Sequence, residues 1–116
     1  MSFIKIWIHY IWATKNRRPI LKEPFRSKLF DHIKENAIKQ NIYLDKINGH
    51  VDHVHAIVSL GTHQTIDGIA QTSKGESSFW FNNKSGFATK RLAWQDKYYA
   101  VSVSESVLPI LRGICR

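Results

Sequence analysis

VDHVHAIVSL, residues 51–60, reads as a strand and carries two histidines one residue apart. Side chains on a strand alternate faces, so His53, His55, Ile57 and Ser59 point one way and Val54, Ala56, Val58 and Leu60 the other. The second set is wholly apolar and marks a core face. The first holds two imidazoles roughly 6 to 7 Å apart along the strand, within reach of one ion or one phosphate oxygen. Upstream, IYLDKINGH (residues 42–50) alternates and ends in Asn48-Gly49, a hairpin-turn signal, which makes the two strands antiparallel neighbours.

The rest of the chain arranges itself around that hairpin. FIKIWIHYIWA (residues 3–13) is rich in β-branched and aromatic residues on both faces, as a central strand requires. Pro24 opens a helical pattern over residues 23–40, with Phe25, Leu29, Ile33, Ala37 and Ile38 recurring at the helical period. A second helix is expected over residues 65–84, with Ile66, Ile69, Ala70, Ser73, Ser77, Trp80 and Phe81 on one face, although Gly68 and Gly75 weaken it. YYAVSVS (residues 98–104) alternates as a last strand, and SESVLPILRG (residues 104–113) starts a helix with an early Pro109. The order β-α-β-β-α-β-α is the ferredoxin-like split βαβ pattern, an α+β fold whose antiparallel sheet carries its helices on one face. No repeat or linker divides residues 1–116, which are expected to form a single domain.

Composition narrows the function. The 116 residues hold 17 Lys and Arg against 9 Asp and Glu, a net charge of +8. So large an excess in a short chain favours a polyanionic partner, nucleic acid before a membrane surface. No apolar run approaches the roughly 20 residues of a transmembrane helix, and MSFIKIWIHYIW lacks the order of a signal peptide. A cytoplasmic location without membrane association is expected. The lone Cys115 excludes an internal disulfide and a cysteine-built zinc site, leaving histidine and oxygen as metal ligands.

For a single histidine, a half-buried strand residue is the commoner explanation; a pair on one face shifts the balance. Neutral imidazoles ligate divalent metals, and a rigid strand holds two of them with little loss of side-chain freedom. Two ligands do not complete a site, so water, a substrate phosphate or a further group must be added. Of the other histidines, His50 is expected to approach the pair most closely, while His9, His32 and His63 read as turn or surface residues.

Four blocks in order resemble one family, the small HUH transposases that move insertion sequences as single-stranded DNA with one tyrosine nucleophile. They are HYIWATKNRRPIL (His9 to Leu21), DHVHAIVSL around His53 and His55, SKGESSFW (Ser73 to Trp80) and WQDKYYAVSVSES (Trp94 to Ser106). The resemblance spans nearly the whole chain. It implies a ferredoxin-like fold, a homodimer, and a Mg or Mn ion held at the scissile phosphate by His53 and His55. Such an ion neutralises charge on the non-bridging oxygens while tyrosine forms a reversible phosphotyrosine link. The resemblance places that tyrosine, followed by a metal-binding glutamine, on a helix after SVSES.

Here the sequence departs from the family. VLPILRGICR follows Ser106 with neither tyrosine nor glutamine, and by spacing the family tyrosine falls near Ile114. A truncated or frame-shifted reading frame would produce such an ending, so the 116-residue chain is expected to be catalytically incomplete. Tyr98 and Tyr99 are the tyrosines nearest that point and belong to a strand block, which makes them poor nucleophile candidates.

Cations cluster at Lys15, Arg17 and Arg18 and around Lys84, Lys90, Arg91 and Lys97. With Trp12 and Trp94 beside them they suit single-stranded DNA, where cations track the backbone and aromatics stack on bases. The resemblance also places Lys74 near DNA or the active site. Two alternatives accompany the transposase reading: a catalytically inactive binder of single-stranded or hairpin DNA, and a ferredoxin-like RNA binder whose sheet aromatics stack bases.

Overall fold

The computed structural model describes residues 5–86 and 90–114. Strands β1 (Ile6–Ala13), β2 (Tyr43–His50), β3 (His53–Leu60) and β4 (Tyr99–Val103) form one sheet in the order β2-β3-β1-β4. Every neighbouring pair is antiparallel. Helices α1 (Phe25–Lys39) and α2 (Ile66–Asn83) make the two crossovers, and a short α3 (Leu108–Ile114) follows β4. This is the ferredoxin-like α+β arrangement the element order implies. The start of the first expected strand and Cys115 lie outside the described residues.

The main core lies between the sheet and the first two helices. Ile8, Tyr10 and Trp12 of β1 and Val54, Ala56 and Val58 of β3 meet Leu29, Ile33 and Ala37 of α1 and Ile69, Ala70 and Phe81 of α2. The α1 residues recur every four positions, so one stripe of the helix is buried. Thr65 caps α2 by accepting the Gly68 N–H at 2.9 Å, and a Cβ at Gly68 would sit 2.7 Å from the Thr65 hydroxyl oxygen. The glycine that weakened the helix signal is thus what lets the cap close. Ile66 of the expected stripe is exposed, but its carbonyl accepts the buried Tyr10 hydroxyl at 2.7 Å.

Helix α3 adds a third layer. Leu108 packs with Trp7 and Ile57 on the opposite face of the sheet, joined by Val103 and Leu111, and Arg112 grips the Asp45 carboxylate at 2.7 and 3.2 Å. The helices therefore do not all share one face. One end of the second face is covered, and the histidine-bearing end belongs to the candidate site.

The hairpin turn also differs from expectation. Asn48 and Gly49 are strand residues paired with His55 and Val54, and the turn is Val51-Asp52. A Cβ at Gly49 would lie 2.2 Å from the His53 carbonyl oxygen, so the glycine serves close strand approach rather than a turn. A register shift between Leu44 and Lys46 returns Leu44 and Ile47 to the same core face, which strict alternation had separated.

Candidate functional site

β1 and β3 present alternate residues to the face away from α1 and α2. His53 and His55 lie together there, ring centroids 4.9 Å apart and planes at 81°. The His50 ring lies 6.4 Å from that of His53. His9, read from the sequence as a surface or turn residue, is instead 9% exposed in the middle of β1, with Nε2 3.3 Å from Nδ1 of His55. It, rather than His50, makes the closer contact with the pair. β1 alternation alone assigns His9 to this face, but only the register, with Ile11 opposite His55 and His9 opposite Ile57, places it diagonally beside His55.

Asp52 also escaped the sequence reading, although it stands in the quoted VDHVH. Its Oδ1 lies 2.8 Å from His53 Nδ1, and its Oδ2 accepts from Arg17 Nε at 3.2 Å. The hydrogen bond to His53, supported by the Arg17 charge, holds the Asp52 carboxyl below the usual range. A carboxylate only accepts, so Nδ1 of His53 is the donor, and in the neutral ring Nε2 is then left with a lone pair. Burial lowers the pKa of His9, and burial followed by the neighbouring His53 and His9 lowers that of His55, so both favour the neutral ring that metal ligation needs. Among the described residues no three His, Cys, Asp or Glu side chains converge to hold a metal ion. The donors that could hold one are the His53 and His55 imidazoles, with oxygen from water or a phosphate completing the shell.

The basic turn after β1 flanks this face. Thr14 is fully buried, donating its N–H to the Asp52 carbonyl at 2.9 Å and its hydroxyl to the Arg18 carbonyl at 2.7 Å; Lys15 N–H reaches Ala93 at 2.8 Å. These bonds hold Asn16 and Arg17 at φ of 58° and 55°, a left-handed conformation uncommon for arginine. Lys15, Arg17 and Arg18 are exposed, and Arg18, Lys90 and Arg91 line a groove of about 390 Å³ with Pro19 and Ile20.

Two expected DNA contacts face inward instead. Trp94 is 8% exposed, donates Nε1 to Ser77 Oγ at 3.1 Å and meets Trp12 edge-on in the core, so neither tryptophan offers a stacking surface. Lys74 is 7% exposed; its Nζ donates to the Asp96 carbonyl at 2.9 Å and lies 5.7 Å from the Tyr98 ring centroid, tying α2 to the segment before β4. Burial lowers its pKa, with Asp96 and Asp67 opposing. Tyr98 packs on the helix side and donates its hydroxyl to Asp67 at 2.9 Å, away from the histidines. Tyr99 is exposed on β4, paired with Ile11, which is itself paired with His55. One strand therefore separates Tyr99 from His55.

No helix among the described residues is long and apolar enough to cross a membrane. No curated protein matches the sequence. Among solved structures, the chain is similar to a protein described as a candidate transposase from Deinococcus radiodurans, at 22% identity and a TM-score of 0.76 over 97% of this chain and 90% of that one. It is also similar to a REP-associated tyrosine transposase bound to a REP hairpin, at 14% identity and a TM-score of 0.70 over 99% of this chain and 67% of that one. Identities this low establish the shared fold. The model of the family described as "Transposase IS200 like" matches residues 2–113, and the chain belongs to that family.

Proposed function

We propose that the chain works in DNA transposition by binding single-stranded or hairpin DNA across the histidine face and the basic turn, with a Mg or Mn ion held by His53 and His55. The observation that carries this reading is the pairing of His53 and His55 on one sheet face, with Asp52 joining His53 to Arg17 of the basic turn. The ion would neutralise charge on a phosphate held there. Arg17 and the Arg18, Lys90 and Arg91 groove would track the flanking phosphates as point charges. That a structural neighbour is bound to a hairpin supports a hairpin partner. A homodimer, proposed on the family resemblance, would also protect the edge strands β2 and β4, whose outer backbone groups have no neighbour in the sheet. A cytoplasmic location accords with these roles.

A second reading has a specific observation behind it: binding without cleavage. The residues of α3, LPILRGI, include no tyrosine, and Tyr98 and Tyr99 are placed as described above. The 116-residue chain would then hold DNA and metal without forming the phosphotyrosine link itself. A denaturing gel with labelled hairpin DNA carrying flanking single strands, in Mg or Mn, separates the two. Retention on a native gel with no covalent band supports binding alone. A covalent band lost on Tyr99→Phe or Tyr98→Phe would establish an active nuclease within these residues, and no retention on the native gel would overturn the DNA reading.

A further inference from the structure

His9 has neither a ligand position nor a DNA contact in the reading above, yet it makes the closest polar contact to His55. The planes of the two rings are 22° apart and their centroids 5.5 Å apart. With Nε2 of one 3.3 Å from Nδ1 of the other, the rings meet edge to edge and each nitrogen faces its partner in the ring plane. The contact has room for one proton. A neutral imidazole carries a single N–H, so the ring that gives the proton keeps a bare lone pair on its other nitrogen, and the ring that accepts is protonated there. If His55 donates from Nδ1, its Nε2 is a metal donor; if it accepts, Nε2 is an N–H and repels a cation.

The neighbouring ligand candidate shows the same arrangement resolved by a carboxylate, since Asp52 accepts the hydrogen bond from His53 Nδ1–H, which in the neutral ring leaves Nε2 bare. We infer that His9 is the positioning residue for His55: its Nε2 accepts the hydrogen bond from His55 Nδ1–H and so holds His55 in the tautomer that can bind metal. The inference rests on the metal reading of His53 and His55. His9 suits the task because it is central in β1, between Ile57 of β3 and Val101 of β4, and its ring is almost wholly enclosed. A hydrogen-bond acceptor behind a ligating imidazole fixes both tautomer and ring orientation, and its loss typically weakens metal binding about 10- to 100-fold.

Two readouts test this. Long-range proton–nitrogen NMR on the metal-free, full-length chain reports the His55 tautomer directly, and a bare Nε2 with a protonated Nδ1 is expected. Calorimetric titration of Mn²⁺ into wild type, His9→Phe, His9→Gln and the His53→Ala/His55→Ala double variant gives the second. His9→Phe should weaken binding about 10- to 100-fold, and His9→Gln, whose amide oxygen can accept the same proton, should recover part of it. A protonated Nε2 on His55 in the wild type, unchanged affinity in His9→Phe, or no recovery with His9→Gln would overturn the positioning role. If wild type and the double variant take up Mn²⁺ alike, the metal reading itself has failed. If only the double variant loses the ion while His9→Phe keeps it, the positioning role alone has failed.

Discussion

Asp52 and His53 are adjacent in sequence and joined side chain to side chain, the carboxylate 2.8 Å from the imidazole Nδ1, while the same carboxylate accepts from Arg17 of the turn after β1. The residue that orients one histidine is thereby linked to the basic turn. Asp52→Ala removes the acceptor behind His53 and releases Arg17. Mn²⁺ affinity should fall about 10- to 100-fold, measured by calorimetry, with Asp52→Asn losing less because its amide oxygen can still accept. Equal affinity for Asp52→Ala and wild type would mean that His53 needs no partner.

Among the described residues, the groove of Arg18, Lys90 and Arg91 has no acidic lining residue. Arg18→Ala and Arg91→Ala should each weaken hairpin DNA binding uniformly across sequences and reduce the slope of log affinity against log salt by about 1. Fluorescence anisotropy between low and physiological salt checks this. A wild-type affinity that does not change with salt would rule the groove out as the contact surface.

Trp94 fills core space and donates to Ser77, whose own hydroxyl donates to the Lys74 carbonyl at 3.1 Å. Trp94→Phe should destabilise the fold by about 1–3 kcal/mol in urea unfolding while leaving DNA affinity unchanged. A variant of native stability with tenfold weaker DNA binding would instead make Trp94 a stacking platform.

Stability should also depend on pH in a defined direction. Burial holds the pKa values of His9 and His55 below 6.5 in the folded chain, so the unfolded chain takes up these protons first as pH falls. In metal-free buffer, stability is full above pH 6.5 and declines as pH drops below it toward the lowered folded values. Asp52, depressed in the fold, adds a separate loss at more acid pH, below its ordinary value of 3.8. Urea midpoints from pH 7.5 to 5 should fall in wild type and fall less in His9→Asn/His55→Asn. A flat wild-type profile would contradict the burial of these rings.

The β-α-β-β-α-β-α order was legible because each element carries its own period: the apolar set of β3 at alternate positions, the α1 stripe of Leu29, Ile33 and Ala37 at every fourth. The face shared by His53 and His55 followed from the same alternation. Quantities set by pairing between distant segments were not legible. His9 meets His55 only through the β1–β3 register, and α3 reaches the second face through Leu108 against Trp7 and Ile57. Asn48-Gly49 misled because the preference for glycine came from backbone crowding against His53, not from turn geometry. Trp94 misled because an amphipathic residue beside a basic cluster looks the same in sequence whether its tip meets solvent or, as here, Ser77; Lys74, placed near DNA by the resemblance alone, turns its tip to the Asp96 carbonyl.

The central claim is that His53 and His55 form a divalent-metal site beside bound DNA. Its most direct test is calorimetric titration of Mn²⁺ into the metal-free chain with hairpin DNA bound, compared with His53→Ala/His55→Ala under the same conditions. The expected result is saturable uptake by wild type that the double substitution abolishes, with its circular dichroism and its salt-dependent DNA binding retained. Equal uptake by both proteins, or none by wild type, would contradict it.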